Sequence, residues 1–150
     1  MQDGASIRAW GASAMAMGIA EGAMNHAINY ARERTAFGRP IAELQAIRFM
    51  IADMAIQIEA ARSLLYRTTG MLDRKEKVIP LMTSSTKCFV SDMAMKVTTD
   101  EVQILGGYGV TKDYPVEKMM RDAKCVQILD GSNQIQRAIV ARNVIGSISR

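Results

Sequence analysis

Cysteine, histidine, proline and aromatic residues are all scarce in this sequence, and each shortage removes a class of protein. The two cysteines, Cys88 and Cys125, form no CxxC pair. Neither a zinc site nor a disulfide framework is therefore expected, and both read as reduced core thiols. The single histidine, His26, belongs to no Glu-x-x-His pair. That excludes the di-iron class of helical bundle, so no metal site is expected and His26 reads as surface or core filler. Aromatics make up 5% of the chain against twelve methionines, so the core must be aliphatic and adaptable. Between Pro40 and Pro80 only Gly70 could break a helix, which predicts long helices. Charged residues interrupt every apolar stretch before it could span a bilayer, and no signal peptide is visible, so a soluble intracellular protein is expected.

The net charge is +4, yet the basic residues are scattered (Arg32, Arg34, Arg48, Arg62, Arg74, Arg121, Arg137, Arg142) rather than gathered. With no accompanying aromatic pattern, nucleic-acid binding is not expected, and an anionic cofactor or substrate is the more economical reason for the excess. A chain of 150 residues is the size of one domain, taken as residues 1–150.

What the sequence does contain is helical periodicity. Residues from Ile7 to Arg34 read as one helix, with Trp10, Met17, Met24, Ile28 and Ala31 on a stripe. Small residues (Gly11, Ala12, Ala14, Gly18, Ala20, Gly22) crowd the same segment, so a second helix can approach closely. A second helix is expected to open at Pro40 and to carry the seam Leu44, Ile47, Ile51, Met54, Ile58, Ala61 and Leu65. Gly70 and the charged stretch 73–77 are expected to close it. The third is predicted from Pro80 to Leu105, with Leu81, Phe89, Met93, Val97, Val102 and Ile104 to Leu105 inward, and Gly106-Gly107-Tyr108-Gly109 stopping it. Pro115 should open a helical turn through Met120. A last helix is expected from Ser132 or Asn133 to Ile145, with Ile135, Ile139 and Val140 toward the core. No alternating strand pattern of useful length occurs, so the expected fold is all-α, an up-and-down four-helix bundle.

Four local patterns could carry chemistry. Arg34-Thr35-Ala36-Phe37-Gly38-Arg39-Pro40 offers two guanidinium groups and an aromatic face between helices, which suits a phosphate-bearing ligand. Gln103-Ile104-Leu105-Gly106-Gly107 would let a ligand approach the backbone, or forms only a plain helix C-cap. Asp130-Gly131-Ser132-Asn133-Gln134 opens a helix, where free N–H groups favour an anion, or supplies only an N-cap. Tyr114-Pro115-Val116-Glu117-Lys118 with Arg121-Asp122 reads as surface ion pairs.

Taken in order, these four patterns, with Gln45 shortly after the first and Ile135-Gln136-Arg137 with Ile139-Val140-Ala141-Arg142 at the end, resemble the C-terminal helical domain of the acyl-CoA dehydrogenases. The resemblance runs from about Arg8 to Ile145. It implies a flavoenzyme that removes a proton α to an acyl-CoA thioester while a hydride leaves the β-carbon for FAD. In the family this domain follows a helical domain and a β-domain, neither of which lies in these residues. The resemblance places Arg34, Phe37, Gln45, Gln103, Ile104, Gly106 and Gly107 on the flavin nucleotide of a neighbouring subunit, and Ser132 and Gln134 on the flavin of the same subunit. It implies an electron-transferring flavoprotein as acceptor, a homotetramer, and a cytoplasmic or, in a eukaryote, mitochondrial-matrix location.

The sequence also departs from the family pattern. Many members carry a catalytic glutamate directly before the Gly-Ser of the last loop, and Asp130 stands there, with Gly131 beside the substrate. One branch keeps its glutamate early in the first helix, where Ser6-Ile7-Arg8-Ala9 holds no carboxylate. Asp130 is thus the base candidate at either position. Arg8 falls one residue out of register with the family's CoA-contacting arginine, and Ala36 stands where some members carry a flavin-bonding threonine. An aspartate base also occurs in a nitroalkane-oxidising branch and in cyclic acyl-CoA dehydrogenases, which are the alternative readings. A further alternative is a non-catalytic oligomerisation module.

Overall fold

The computed structural model describes residues 4–74, 76 and 80–146. They form five α-helices, a two-stranded hairpin and two short 3₁₀ turns. Helix α1 spans Gly4–Glu33. Strands β1 (Thr35–Ala36) and β2 (Arg39–Pro40) pair antiparallel and lead through a 3₁₀ turn, Ile41–Glu43, into α2, Gln45–Asp73. Helix α3 spans Pro80–Leu105, followed by a 3₁₀ turn over Gly106–Val110, then α4 (Val116–Ile128) and α5 (Asn133–Ile145).

The expected helical bundle forms around α3, which packs against α1, α2, α4 and α5. Burial on almost every side explains why α3 shows so little amphipathic contrast. Its seam, Lys87, Val90, Ala94, Val97, Glu101 and Ile104, is buried throughout. Against it lies a stripe of alanines on α1: Ala12, Ala16, Ala20, Ala23, Ala27 and Ala31, all fully buried. Side chains this short let two backbones come close. Gly11 and Gly18, grouped with these alanines in the sequence, have nothing within 4 Å of a built Cβ; the alanines alone make the approach. The α2 seam holds as expected, with Met54, Ile58, Ala61 and Leu65 buried and Leu44, Ile47 and Ile51 packed at its edge. Trp10 is fixed by a hydrogen bond from Nε1 to Thr69 Oγ1 at 2.9 Å.

Several boundaries differ from expectation. Pro40 does not open α2. It ends β2, because Phe37 and Gly38 both take positive φ (54° and 78°) and make the two-residue turn that closes a hairpin. Helix α2 passes Gly70 and ends at Asp73, in the charged stretch expected to close it, and Arg74 caps it by donating its N–H to the Gly70 carbonyl. Residues 75 and 77 of the expected turn lie outside the described residues. The turn expected after Pro115 is a full helix, α4, braced by Glu117–Arg121 and Lys118–Asp122 pairs one turn apart. On α5 the inward face is polar. Asn133 and Gln136 are buried while Ile135 is exposed, so the expectation for Ile135 fails; Ile139 and Val140 are half-buried. Phe89 on α3 is likewise turned outward, and Leu81 and Val102 are only half-buried. Cys125 lies exposed rather than in the core, Cys88 is half-buried, and His26 is exposed.

Candidate functional site

The chemistry-bearing residues gather at two places. The first is a cleft of about 560 Å³ where α1 ends, bounded by Tyr30, Arg34, Ile41, Ile47, Ile104 and the 3₁₀ turn from Gly106 to Tyr108. The hairpin sets its rim: Ile41 N–H donates to the Arg34 carbonyl at 2.8 Å, which folds the chain back beside α1. Arg34 lies over the Tyr108 ring at 6.0 Å, close enough for a cation–π contact. Tyr114 packs edge-on against both Tyr30 and Tyr108.

The glycine run divides into two roles. A Cβ on Gly109 would sit 2.5 Å from the Val102 carbonyl oxygen, so only glycine lets the 3₁₀ turn fold back against α3. A Cβ on Gly106 or Gly107 would meet nothing within 4 Å. Their backbone is open to the cleft, as a ligand approaching the main chain requires. With an apolar wall, a guanidinium and bare backbone, the cleft fits one end of an anionic, partly apolar cofactor such as a dinucleotide.

Of the seven residues expected to hold that nucleotide, Arg34, Ile104, Gly106 and Gly107 line this cleft. Phe37 does not: the hairpin turn leaves it 90% exposed at the tip. Gln45 lies instead beside Glu43, Arg48, Phe49 and Ala52, and Gln103 is exposed on α3. None of these three is drawn into the cleft by this chain.

The second place is the loop between α4 and α5. Asp130 and Gly131 adopt positive φ, 52° and 92°, a backbone state aspartate tolerates better than most residues. The loop is held from inside by Gln136, whose Nε2 donates to the Asp130 carbonyl at 3.1 Å and to that of Gly131 at 3.5 Å. A Cβ on Gly131 would stand 2.8 Å from that same nitrogen and push the Gln136 amide aside, and the positive φ of Gly131 itself favours glycine there. The Asp130 carboxylate faces Arg8 on α1, Oδ1 to Nε 3.6 Å, and remains partly exposed. Ser132 takes the N-cap position of α5, yet its hydroxyl makes no capping hydrogen bond; Gln134 is exposed.

Beneath this loop lies a polar network that sequence reasoning missed. Lys87, fully buried, donates from Nζ to Asn133 Oδ1 at 2.7 Å and to the Gln127 carbonyl at 3.1 Å. Asn133 Nδ2 donates in turn to Ser91 Oγ (2.9 Å) and Asp92 Oδ1 (2.7 Å), and Gln127 and Arg137 also donate to Asp92. Burial pushes the Lys87 ammonium down from its ordinary range, opposed by Cys88, Asp92 and Asp130, while Arg137 adds to the lowering. Burial likewise pushes the Cys88 thiol up. Glu101, near the other end of α3, has no hydrogen-bond partner for either carboxyl oxygen, and burial raises it to about 8. The signal for both was present. Lys87 and Glu101 are charged residues on seam positions of an apolar repeat, where a solvated charge cannot sit. Among the described residues no group of three or more His, Cys, Asp or Glu could hold a metal ion, and no helix is long and apolar enough to cross a membrane.

The family model for the acyl-CoA dehydrogenase C-terminal domain matches residues 2–145. The chain is 51% identical over 133 residues to a cyclohex-1-ene-1-carbonyl-CoA dehydrogenase of Syntrophus aciditrophicus, covering 89% of this chain and 32% of that protein. It is 48% identical over 132 residues to the probable acyl-CoA dehydrogenase FadE25 of Mycobacterium tuberculosis, covering 88% and 34%. Among solved structures it resembles butyryl-CoA dehydrogenase from Megasphaera elsdenii, with a TM-score of 0.92, 39% identity, and coverage of 95% of this chain and 37% of that one. The chain therefore spans about a third of the length of the curated relatives it matches.

Proposed function

We propose that this chain, which belongs to the acyl-CoA dehydrogenase family as its C-terminal domain, contributes half of each of two flavin sites in an oligomeric acyl-CoA dehydrogenase. One observation carries the reading. Arg8, beside Asp130, and Arg34, in the cleft, stand at opposite ends of α1, about 39 Å apart at ~1.5 Å per residue. That is farther than one extended dinucleotide reaches, so a single FAD cannot serve both ends. In keeping with the family pattern, the cleft of Arg34, Ile104, Gly106 and Gly107 takes the nucleotide of a neighbour's flavin. Asp130, Gly131, Ser132 and Gln134 face the flavin bound with the chain's own subunit. The remainder of each site comes from domains outside residues 1–150, and the assembly is a homotetramer.

When bound, FAD supplies the hydride acceptor for the β-carbon of the acyl-CoA. Asp130 takes the α-proton, and the backbone N–H at position 130 donates to the thioester oxygen as charge develops there. Arg34 neutralises phosphate charge, and the open Gly106 and Gly107 backbone lets the nucleotide lie against the chain. An electron-transferring flavoprotein reoxidises the enzyme. Asp130 is one methylene shorter than a glutamate, about 1 Å of reach, a distance that can change rate by about 100-fold. That observation favours a second reading of the substrate, an acyl group in which a ring brings the α-carbon to the shorter side chain. The ring-substrate dehydrogenase among the relatives supports it.

Complementation tests the half-site reading in the full-length enzyme. Expressed alone, Asp130→Asn slows substrate-driven flavin bleaching by about 100-fold or more, and Arg34→Ala leaves most sites without flavin at limiting FAD. Co-expressed, they restore bleaching in about a quarter of the sites, because a pair of unlike subunits rebuilds one intact site of two. Wild-type bleaching in either single variant at limiting FAD, or no recovery in co-assembled oligomers, overturns the assignment.

A further inference from the structure

The geometry points to Lys87 as a positioning residue for Asp130, a role that rests on the dehydrogenase reading for its purpose but not for its geometry. The loop that carries Asp130 has two anchors, the last turn of α4 and the first residue of α5. Lys87 bonds to one group on each: the carbonyl of Gln127 and the side chain of Asn133. A single ammonium, rising from a third helix with no exposure to solvent, thus clips the two ends of the loop together. Both acceptors are neutral. The nearest carboxylate in the network, Asp92, is reached only through Asn133, Gln127 and Arg137.

An apolar side chain would fill this position at less desolvation penalty, since a buried ammonium is tolerated only with its donors met. What the lysine adds is directional. Three donors on a long stem can meet a main-chain carbonyl and a side-chain amide at once, and a methionine can meet neither. Gln136 then fixes the loop's own carbonyls from α5. The outcome is a non-glycine residue held at positive φ, with its carboxylate placed beside Arg8. Such a conformation persists only where the surroundings over-determine it.

Two measurements test this, one without any cofactor. In the 150-residue chain labelled for NMR, Lys87→Met shifts the amide signals of Asp130, Gly131 and Asn133 and speeds their hydrogen exchange by about tenfold or more. The amides of the α1–α2 contact, around Ala20 and Ile58, keep wild-type positions. Unchanged loop amides overturn the inference, and so does a uniform change throughout the bundle. If Lys87→Met does not fold, Asn133→Ala removes one of the two Lys87 acceptors, together with the donors to Ser91 and Asp92, and is judged on the amides of Asp130 and Gly131. In the full-length enzyme, Lys87→Met slows flavin reduction by about 100-fold, as expected for a base displaced by about 1 Å. It costs nothing further in an Asp130→Asn background, because it acts through that residue. Equal losses in both backgrounds overturn the positioning role. If Asp130→Asn alone leaves reduction at the wild-type rate, the assignment of the base fails instead, and the amide measurement still decides what Lys87 does.

Discussion

Arg8 and Asp130 are 122 positions apart in the chain, and their side chains meet at 3.6 Å. The pair joins the start of α1 to the loop before α5. As a partly exposed pair it adds little to the fold. Arg8→Gln is expected to change the unfolding free energy of the chain by no more than about 0.5 kcal/mol in urea. In the full-length enzyme the same change should slow flavin reduction while leaving FAD content intact. Wild-type reduction by Arg8→Gln would show that the guanidinium plays no part in placing the carboxylate.

Gly107 and Gly109 separate ligand binding from folding. Gly109→Ala forces a methyl group into the Val102 backbone and should destabilise the bundle by roughly 1–3 kcal/mol, the range of overpacking. Gly107→Ala meets nothing within 4 Å and should stay within about 1 kcal/mol of wild type. Placed in the full-length enzyme, it should nevertheless weaken FAD retention, because its methyl group occupies the space the nucleotide needs. Denaturation midpoints and flavin content after gel filtration give the two readings. FAD retained at wild-type level by Gly107→Ala argues against nucleotide binding at this face.

Glu101 makes stability depend on pH, with a definite sign. Its carboxyl is raised to about 8 in the folded chain from an ordinary value of 4.5, so the folded state holds a proton that the unfolded state has released. Stability is therefore greatest below about pH 4.5 as far as this group is concerned, falls as pH rises to about 8, and levels off above it. The full fall amounts to roughly 3–5 kcal/mol. Glu101→Gln should remove the slope. Glu101→Leu, which discards an unpartnered buried carboxyl, should be more stable than wild type at about pH 8 and above. Urea unfolding at a series of pH values checks both; a wild-type slope surviving in Glu101→Gln assigns it to another group.

The proposal of flavin half-sites at opposite ends of α1 predicts the behaviour of the 150-residue chain by itself. It should fold on its own apolar seams and purify colourless, since neither end is a complete FAD site. In the full-length enzyme, Arg34→Ala should reduce FAD affinity by roughly 1.5–3 kcal/mol, the range for a charge-assisted hydrogen bond. Arg74→Ala, which breaks only an exposed pair with Glu76, should stay within about 0.5 kcal/mol. Flavin titration followed by fluorescence measures each, and a yellow, stoichiometric preparation of the chain alone would contradict the half-site reading.

The helices were legible because their cause is local. The seam from Leu44 to Leu65 repeats at the helical period, and α3 runs between the two stops foreseen for it, Pro80 and Leu105. Membership of the family was legible too, because an ordered set of short motifs survives in one dimension. Boundaries governed by distant contacts were not. Pro40 could open a helix or end a strand with equal local ease, and the hairpin turn at Phe37 and Gly38 decided for the strand. The inward face of α5 could not be read from Ile135, because Lys87, forty-six positions earlier, recruits Asn133 into the interior.

The sequence by itself determined the bundle, the family and the identity of the carboxylate before Gly131, since period, spacing and residue type are all properties of neighbours in the chain. Tertiary structure alone decided that Arg8 faces Asp130 and that Lys87 clips the loop from below. Each of these is a relation between helices. A helix carries its residues apart at a fixed rise, and only packing settles which of the separated groups come back together.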